Sequence, residues 1–180
     1  MPLTHPKARA IAAELDRVHA ELHALLATVP LAQQTTPGPN ATWSIAQNIL
    51  HLGMVEGSTA KLLERLIADA LAAGLGADED GEVDTLMHSL DRFGIATRAH
   101  RRVAPERVDP IGAVDPAHDL ARFDGARQRL LAALASADGK DLTQLRAPHP
   151  AVGELDGYQW FLFVAQHEAR HIAQMREVLA

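Results

Sequence analysis

The chain of 180 residues contains no cysteine. That absence excludes a disulfide framework, a thiolate metal site and a cysteine nucleophile, so any metal has to be held by nitrogen and oxygen. No uninterrupted apolar run approaches the roughly 20 residues that cross a bilayer, and MPLTHPKARA lacks the apolar stretch of a secretory leader. A soluble cytoplasmic protein with no membrane partner is expected. Positive charge is sparse as well: the net charge is -6, and the basic residues are scattered apart from the short run His100, Arg101, Arg102. This balance leaves no broad electrostatic footprint for nucleic acid, so direct DNA binding is not expected. No internal repeat or low-complexity tract divides the chain, and one domain over residues 1–180 is predicted, long enough to bury a core without covalent staples.

What the sequence does have is helical periodicity. Ile11, Leu15, Val18, Leu22, Leu25 and Val29 recur at spacings of three and four, predicting an amphipathic helix from about Leu3 to Val29. Pro30 and QQTTPGPNAT end it in a loop. A second helix opens at WSIAQ, where Ser44 and Gln47 form the pattern of a capping box, and runs to about Ala73 before Gly74 and Gly76. A short helical pattern spans Val83 to Phe93, followed by the proline-rich HRRVAPERVDPIGAVDP. So long a connection suggests a crossover between bundle helices that are not sequential neighbours.

The third long helix begins with Asp115 as cap and Pro116 in the first turn and ends at ADGK. The fourth opens at Asp156, with Leu155 and Trp160 placed as a hydrophobic staple, and continues to the C-terminus. Four long helices and no convincing strand predict an all-α four-helix bundle with a long crossover between helices 2 and 3 and a short accessory helix.

Ten histidines stand out in the composition, and position separates them. His19 and His23 fall to one side of the first helix's apolar stripe and read as surface residues. On the fourth helix Trp160, Val164, His167, His171, Met175 and Val178 lie within roughly 80° of one another at about 100° per residue. His167 and His171 therefore occupy the centre of a buried stripe. Two imidazoles in an apolar interior lose hydration and need partners: hydrogen bonds to core groups or buried water, or a shared divalent cation, which residues four apart on a helix can both reach. His51, on the edge of the second helix's apolar stripe, can look into the same interior. Three neutral imidazoles from two helices form a facial cap that leaves positions open for water or substrate.

WSIAQNILHLGMVE followed, after a long interval, by HPAVGELDGYQWFLFVAQHEARHIAQ resembles the DinB-like superfamily. The likeness implies a four-helix bundle with His51, His167 and His171 as metal ligands and suggests a homodimer. It does not imply one reaction: the superfamily includes transferases that use bacillithiol or mycothiol, a mycothiol-dependent isomerase and many members without known activity.

An open three-histidine site can lower the pKa of bound water or a bound thiol. Because the chain has no cysteine, the sulfur would come from a low-molecular-weight thiol. Zinc, nickel and ferrous iron all suit imidazole ligands. Two readings follow: a metal-dependent enzyme transferring such a thiol or activating water on a small-molecule substrate, or a protein that binds a metal or small molecule without turnover. A purely structural bundle fits the histidine positions less well.

Around this centre, Arg127 lies on the apolar side of the third helix. It reads either as a guanidinium paired with a carboxylate such as Glu14, or snorkelling to the bundle end, or as a clamp for a carboxylate of a cofactor or substrate. Asn48, with Gln47, could line the pocket, orient a ligand imidazole, or simply cap the helix. Glu168 is expected beside the site, where a general-base role is open to it, and His149 as a surface-loop residue able to cover it. His5, His88, His100 and His118 have no placement that recommends them.

Overall fold

The computed structural model describes residues 2–38, 43–98 and 103–180; the loop tip at 39–42 and the basic run at 100–102 lie outside the described residues. Four long helices, α1 (Pro6–Ala27), α3 (Ile45–Ala72), α5 (Pro116–Ser136) and α6 (Gly157–Leu179), form the bundle. Short helices α2 (Leu31–Gln34) and α4 (Asp84–His88) decorate the connections. No helix among the described residues is long and apolar enough to cross a membrane.

The helix starts follow local chemistry. Ser44 Oγ accepts from the Gln47 amide at 3.2 Å while Gln47 Oε1 accepts from the Ser44 amide at 2.9 Å, completing the capping box of α3. Asp156 and Gln159 do the same for α6. Asp115 accepts from the His118 amide ahead of Pro116, whose missing N–H costs nothing in a first turn. Helix α1 has no side-chain cap of its own; Asp138 instead accepts from the Thr4 and His5 amides at 2.7 and 3.0 Å, tying the N-terminus to the end of α5.

Contacts fix the topology. Gly53 faces Phe123, Glu56 meets Arg127 and Glu64 meets Arg129, so numbers rise together and α3 and α5 run parallel. Lys7 against Tyr158, His19 against Glu168 and Glu21 against Arg176 show that α1 and α6 are parallel too. Asn48 meets His171 and His51 meets His167, so α3 and α6 are antiparallel. The long connection thus joins two helices packed side by side, contrary to the expectation that they are not sequential neighbours. Its length has another cause: α3 is about 42 Å long at 1.5 Å per residue, and a parallel partner requires the chain to travel back along the bundle.

A second departure is a two-stranded antiparallel hairpin, β1 (Arg146–His149) and β2 (Gly153–Asp156), just before α6. Four-residue strands containing Pro148 carry no readable alternation, and a two-stranded ribbon tolerates proline on its unpaired edge. Gly153, at φ +84°, makes the turn back. Gly157 then starts α6 so close to Leu142 that a Cβ would sit 2.8 Å from its carbonyl oxygen.

Two apolar clusters fill the bundle. The larger includes Leu15, Val18, Leu63, Leu130 and Phe161, the smaller Leu22, Ile49, Phe123, Ile172 and Met175. Between them lies a polar layer centred on Arg127. Its Nε and Nη2 donate to both oxygens of Glu56 at 2.6 and 2.9 Å, Nη2 also donates to Glu168 at 2.7 Å, and Nη1 donates to the Leu15 carbonyl. Burial alone would lower the guanidinium's pKa; the hydrogen bonds and charges of the two glutamates outweigh it and hold Arg127 ionised.

Breaking a buried ion pair leaves an uncompensated charge, whereas an exposed pair is screened. Arg127→Ala is therefore expected to lower unfolding free energy by about 3–5 kcal/mol in a denaturant titration. Arg129→Ala, which removes the half-exposed pair with Glu64, should cost at most about 1 kcal/mol in the same measurement.

Candidate metal centre

Helix α6 carries its histidines past α3 at the level of the polar layer. With Glu168 turned to Arg127, the neighbouring His167 and His171 lie about 100° and 60° away on one side, facing α3. His51 completes the group from α3. The three ring nitrogens converge: His51 Nε2 and His167 Nε2 are 3.4 Å apart, and His171 Nε2 and His167 Nε2 are 3.2 Å apart. Two donors bound about 2.1 Å from one ion at angles between octahedral and tetrahedral are themselves about 3.0–3.4 Å apart, so these spacings fit a common cation.

The outer nitrogens explain the orientation. His51 Nδ1 donates to the Val108 carbonyl at 2.7 Å, and His171 Nδ1 donates to Asn48 Oδ1 at 2.8 Å. Each such bond places the ring proton outward and leaves the Nε2 lone pair facing the centre. Asn48 is itself fixed, because its Nδ2 donates to the Ser44 carbonyl at 2.9 Å. Burial pushes the His51 imidazole below its ordinary pKa despite the Val108 hydrogen bond. His171 is driven well below it, first by burial and then by His167 and His51. Neutral rings are the ligand form.

The centre opens on a cavity of about 940 Å³. Val55, Leu62, Trp160 and Phe163 give it an apolar wall, while Arg98, Arg107 and Arg170 supply positive charge elsewhere on its lining. Trp43 packs over the histidines, its ring 4.9 Å from that of His51 and stacked on His171 at 6.0 Å.

Of the residues singled out in the sequence, His51, His167 and His171 come together and Asn48 orients one of them. Gln47 caps α3 and donates to the Pro110 carbonyl. Arg127 is not on the cavity wall: its donors are engaged by Glu56, Glu168 and Leu15, while Glu14 pairs with Arg17. Glu168 likewise faces Arg127 and His19, away from the cavity. His149 does line it, with its ring 4.2 Å from Phe163 and 5.2 Å from Trp160.

Val108 and Trp43 were not singled out. A carbonyl donated by a crossover has no side-chain signature, and the tryptophan's proximity depends on the loop's path. His19 and His23, read as surface residues, are half-buried beside Asp124. Their angle from the apolar stripe is large because the seam they enter is polar.

A family model described as the DinB superfamily matches residues 14–175. The chain is 30% identical over 137 residues to the uncharacterized protein YuaE of Bacillus subtilis (strain 168), covering 76% of each sequence. It also superposes on the crystal structure of TT2238, described as a four-helix bundle protein, with a TM-score of 0.61, 24% identity and coverage of 94% of this chain and 98% of that one. That structural likeness concerns the fold.

Removing an outer partner of a metal-bound imidazole typically weakens affinity about 10–100-fold. Asn48→Ala is expected to show a loss of that size in a competitive chelator titration. A depressed histidine pKa also makes stability pH-dependent: below the ordinary value near 6.5 the unfolded chain binds protons that the folded one refuses. The melting temperature of metal-free protein should thus fall as pH drops from about 7 to about 5, with a shallower dependence in His171→Gln.

Proposed function

The chain belongs to the DinB superfamily, and from that premise we propose a divalent-metal-dependent enzyme that activates a low-molecular-weight thiol, or water, for attack on a small-molecule substrate. One observation carries this reading: three imidazole nitrogens converge at a large cavity while Val108 and Asn48 fix two of the rings from behind. The donor set is nitrogen only, which suits zinc, nickel or ferrous iron. A cation held there supplies Lewis acidity, lowering the pKa of a thiol or water so that a strong nucleophile exists near neutral pH.

The chain's own residues do the rest. His51, His167 and His171 offer one side of a coordination sphere, and the cavity side remains available to the incoming group. Trp43, Trp160 and Phe163 limit water around the reacting atoms and give apolar contact to a substrate body. Arg107 and Arg170 favour substrates or thiols bearing carboxylates, while Arg98 is engaged by Glu177. With no cysteine in the chain, the reacting sulfur belongs to the thiol partner.

A binding protein without turnover is favoured by one feature. Glu177 is a carboxylate on the cavity lining, and it is hydrogen-bonded by Arg98, which holds its pKa below the usual range. It is therefore a poor proton acceptor near neutral pH.

Elemental analysis combined with thiol-conjugation and hydrolysis assays separates the two. For the enzyme, His171→Ala loses the ion of this centre and the rate together. An ion lost with no wild-type rate to lose selects the binding reading, and wild-type protein that acquires no divalent ion at these histidines ends both.

A further inference from the structure

On the far side of Glu168 from the cavity, a second group of donors spans α1, α5 and α6. We propose that His19, His23 and Asp124 form a second divalent transition-metal site, with Glu168 as the carboxylate behind one ligand. His19 Nε2 lies 3.1 Å and His23 Nε2 3.0 Å from the same oxygen, Asp124 Oδ1, and the three atoms lie within 4.8 Å of one another. Donors sharing a cation through bonds of about 2.1 Å have edges near 3 Å, as the two edges to Asp124 do.

The contacts of His19 suit the assignment. His19 has a carboxylate against each ring nitrogen: Nδ1 is 3.2 Å from Glu168 Oε1, and Nε2 is 3.1 Å from Asp124. A neutral imidazole carries one N–H. If it is donated to Glu168, whose side chain is 0% exposed, the Nε2 lone pair faces another acceptor. A cation shared by His19, His23 and Asp124 would be met by that lone pair, with Glu168 behind His19 in the carboxylate–histidine–metal arrangement.

Access is available, since the side chains of His23 and Asp124 are 42% and 35% exposed and water can complete the coordination. Two imidazoles and one carboxylate select zinc and its transition-metal neighbours over magnesium or calcium, which prefer all-oxygen sites. The i, i+4 spacing on α1 brings both rings to one face, and Asp124 reaches across from the antiparallel α5.

The test is metal stoichiometry on tag-free protein stripped with chelator, reloaded with zinc and desalted. Wild type should retain two equivalents, His23→Ala one, and His51→Ala/His171→Ala one, with none left when all three substitutions are combined. Cobalt substitution gives an independent readout: His51→Ala/His171→Ala should keep a visible d–d band that His23→Ala, added to it, abolishes. Melting curves check that each variant is folded. One equivalent in wild type, together with none in folded His51→Ala/His171→Ala, would overturn the second site while leaving the first intact. Failure of the three-histidine centre would appear differently, as no ion lost on making His51→Ala/His171→Ala.

Discussion

A single guanidinium holds the bundle in register. Arg127, on α5, is bonded to Glu56 on α3, Glu168 on α6 and the Leu15 carbonyl on α1, so one side chain touches all four long helices. Taking these charges from water costs several kcal/mol each before pairing. An apolar layer could hold four helices together but would set their rotation less sharply. The fork of donors accepts few geometries, and Glu168 can meet it in only a narrow range of α6 rotation. That rotation points His167 and His171 at His51.

The candidate metal centre thus inherits its geometry from a layer that does not belong to it. The arrangement is nested: the Ser44 carbonyl fixes Asn48, Asn48 fixes His171, and the crossover's Val108 carbonyl fixes His51. The first step uses a group already employed in the helix start, since Ser44 caps α3 and its carbonyl also accepts from the Asn48 amide. Preorganisation of this kind removes from metal binding much of the cost of ordering its ligands.

The four helices were legible because caps and apolar stripes are local signals, as at Ser44–Gln47 and Asp115–Pro116. The three inward histidines were legible for the same reason, since rotational phase along one helix can be counted. Pairing across helices was not. Nothing near Arg127 in the chain names Glu56 or Glu168 as its partners rather than Glu14, and nothing near His19 names Asp124. Those contacts depend on the parallel packing of α3 with α5 and α1 with α6, and the long connection that permits this packing suggested separation instead. The hairpin escaped because its strands are too short for a period to show.

The crossover that brings the Val108 carbonyl to His51 also lines the cavity through Val103, Ala104 and Pro105. On the proposed reading, holding an ion and choosing what meets it fall to different kinds of chain. The helices are constrained by one another, so their histidines have little freedom to drift. An irregular segment tolerates insertion and replacement far more readily. Proteins built this way can diverge in what they admit while their bundles stay alike, and resemblance among the bundles is a poor guide to appetite.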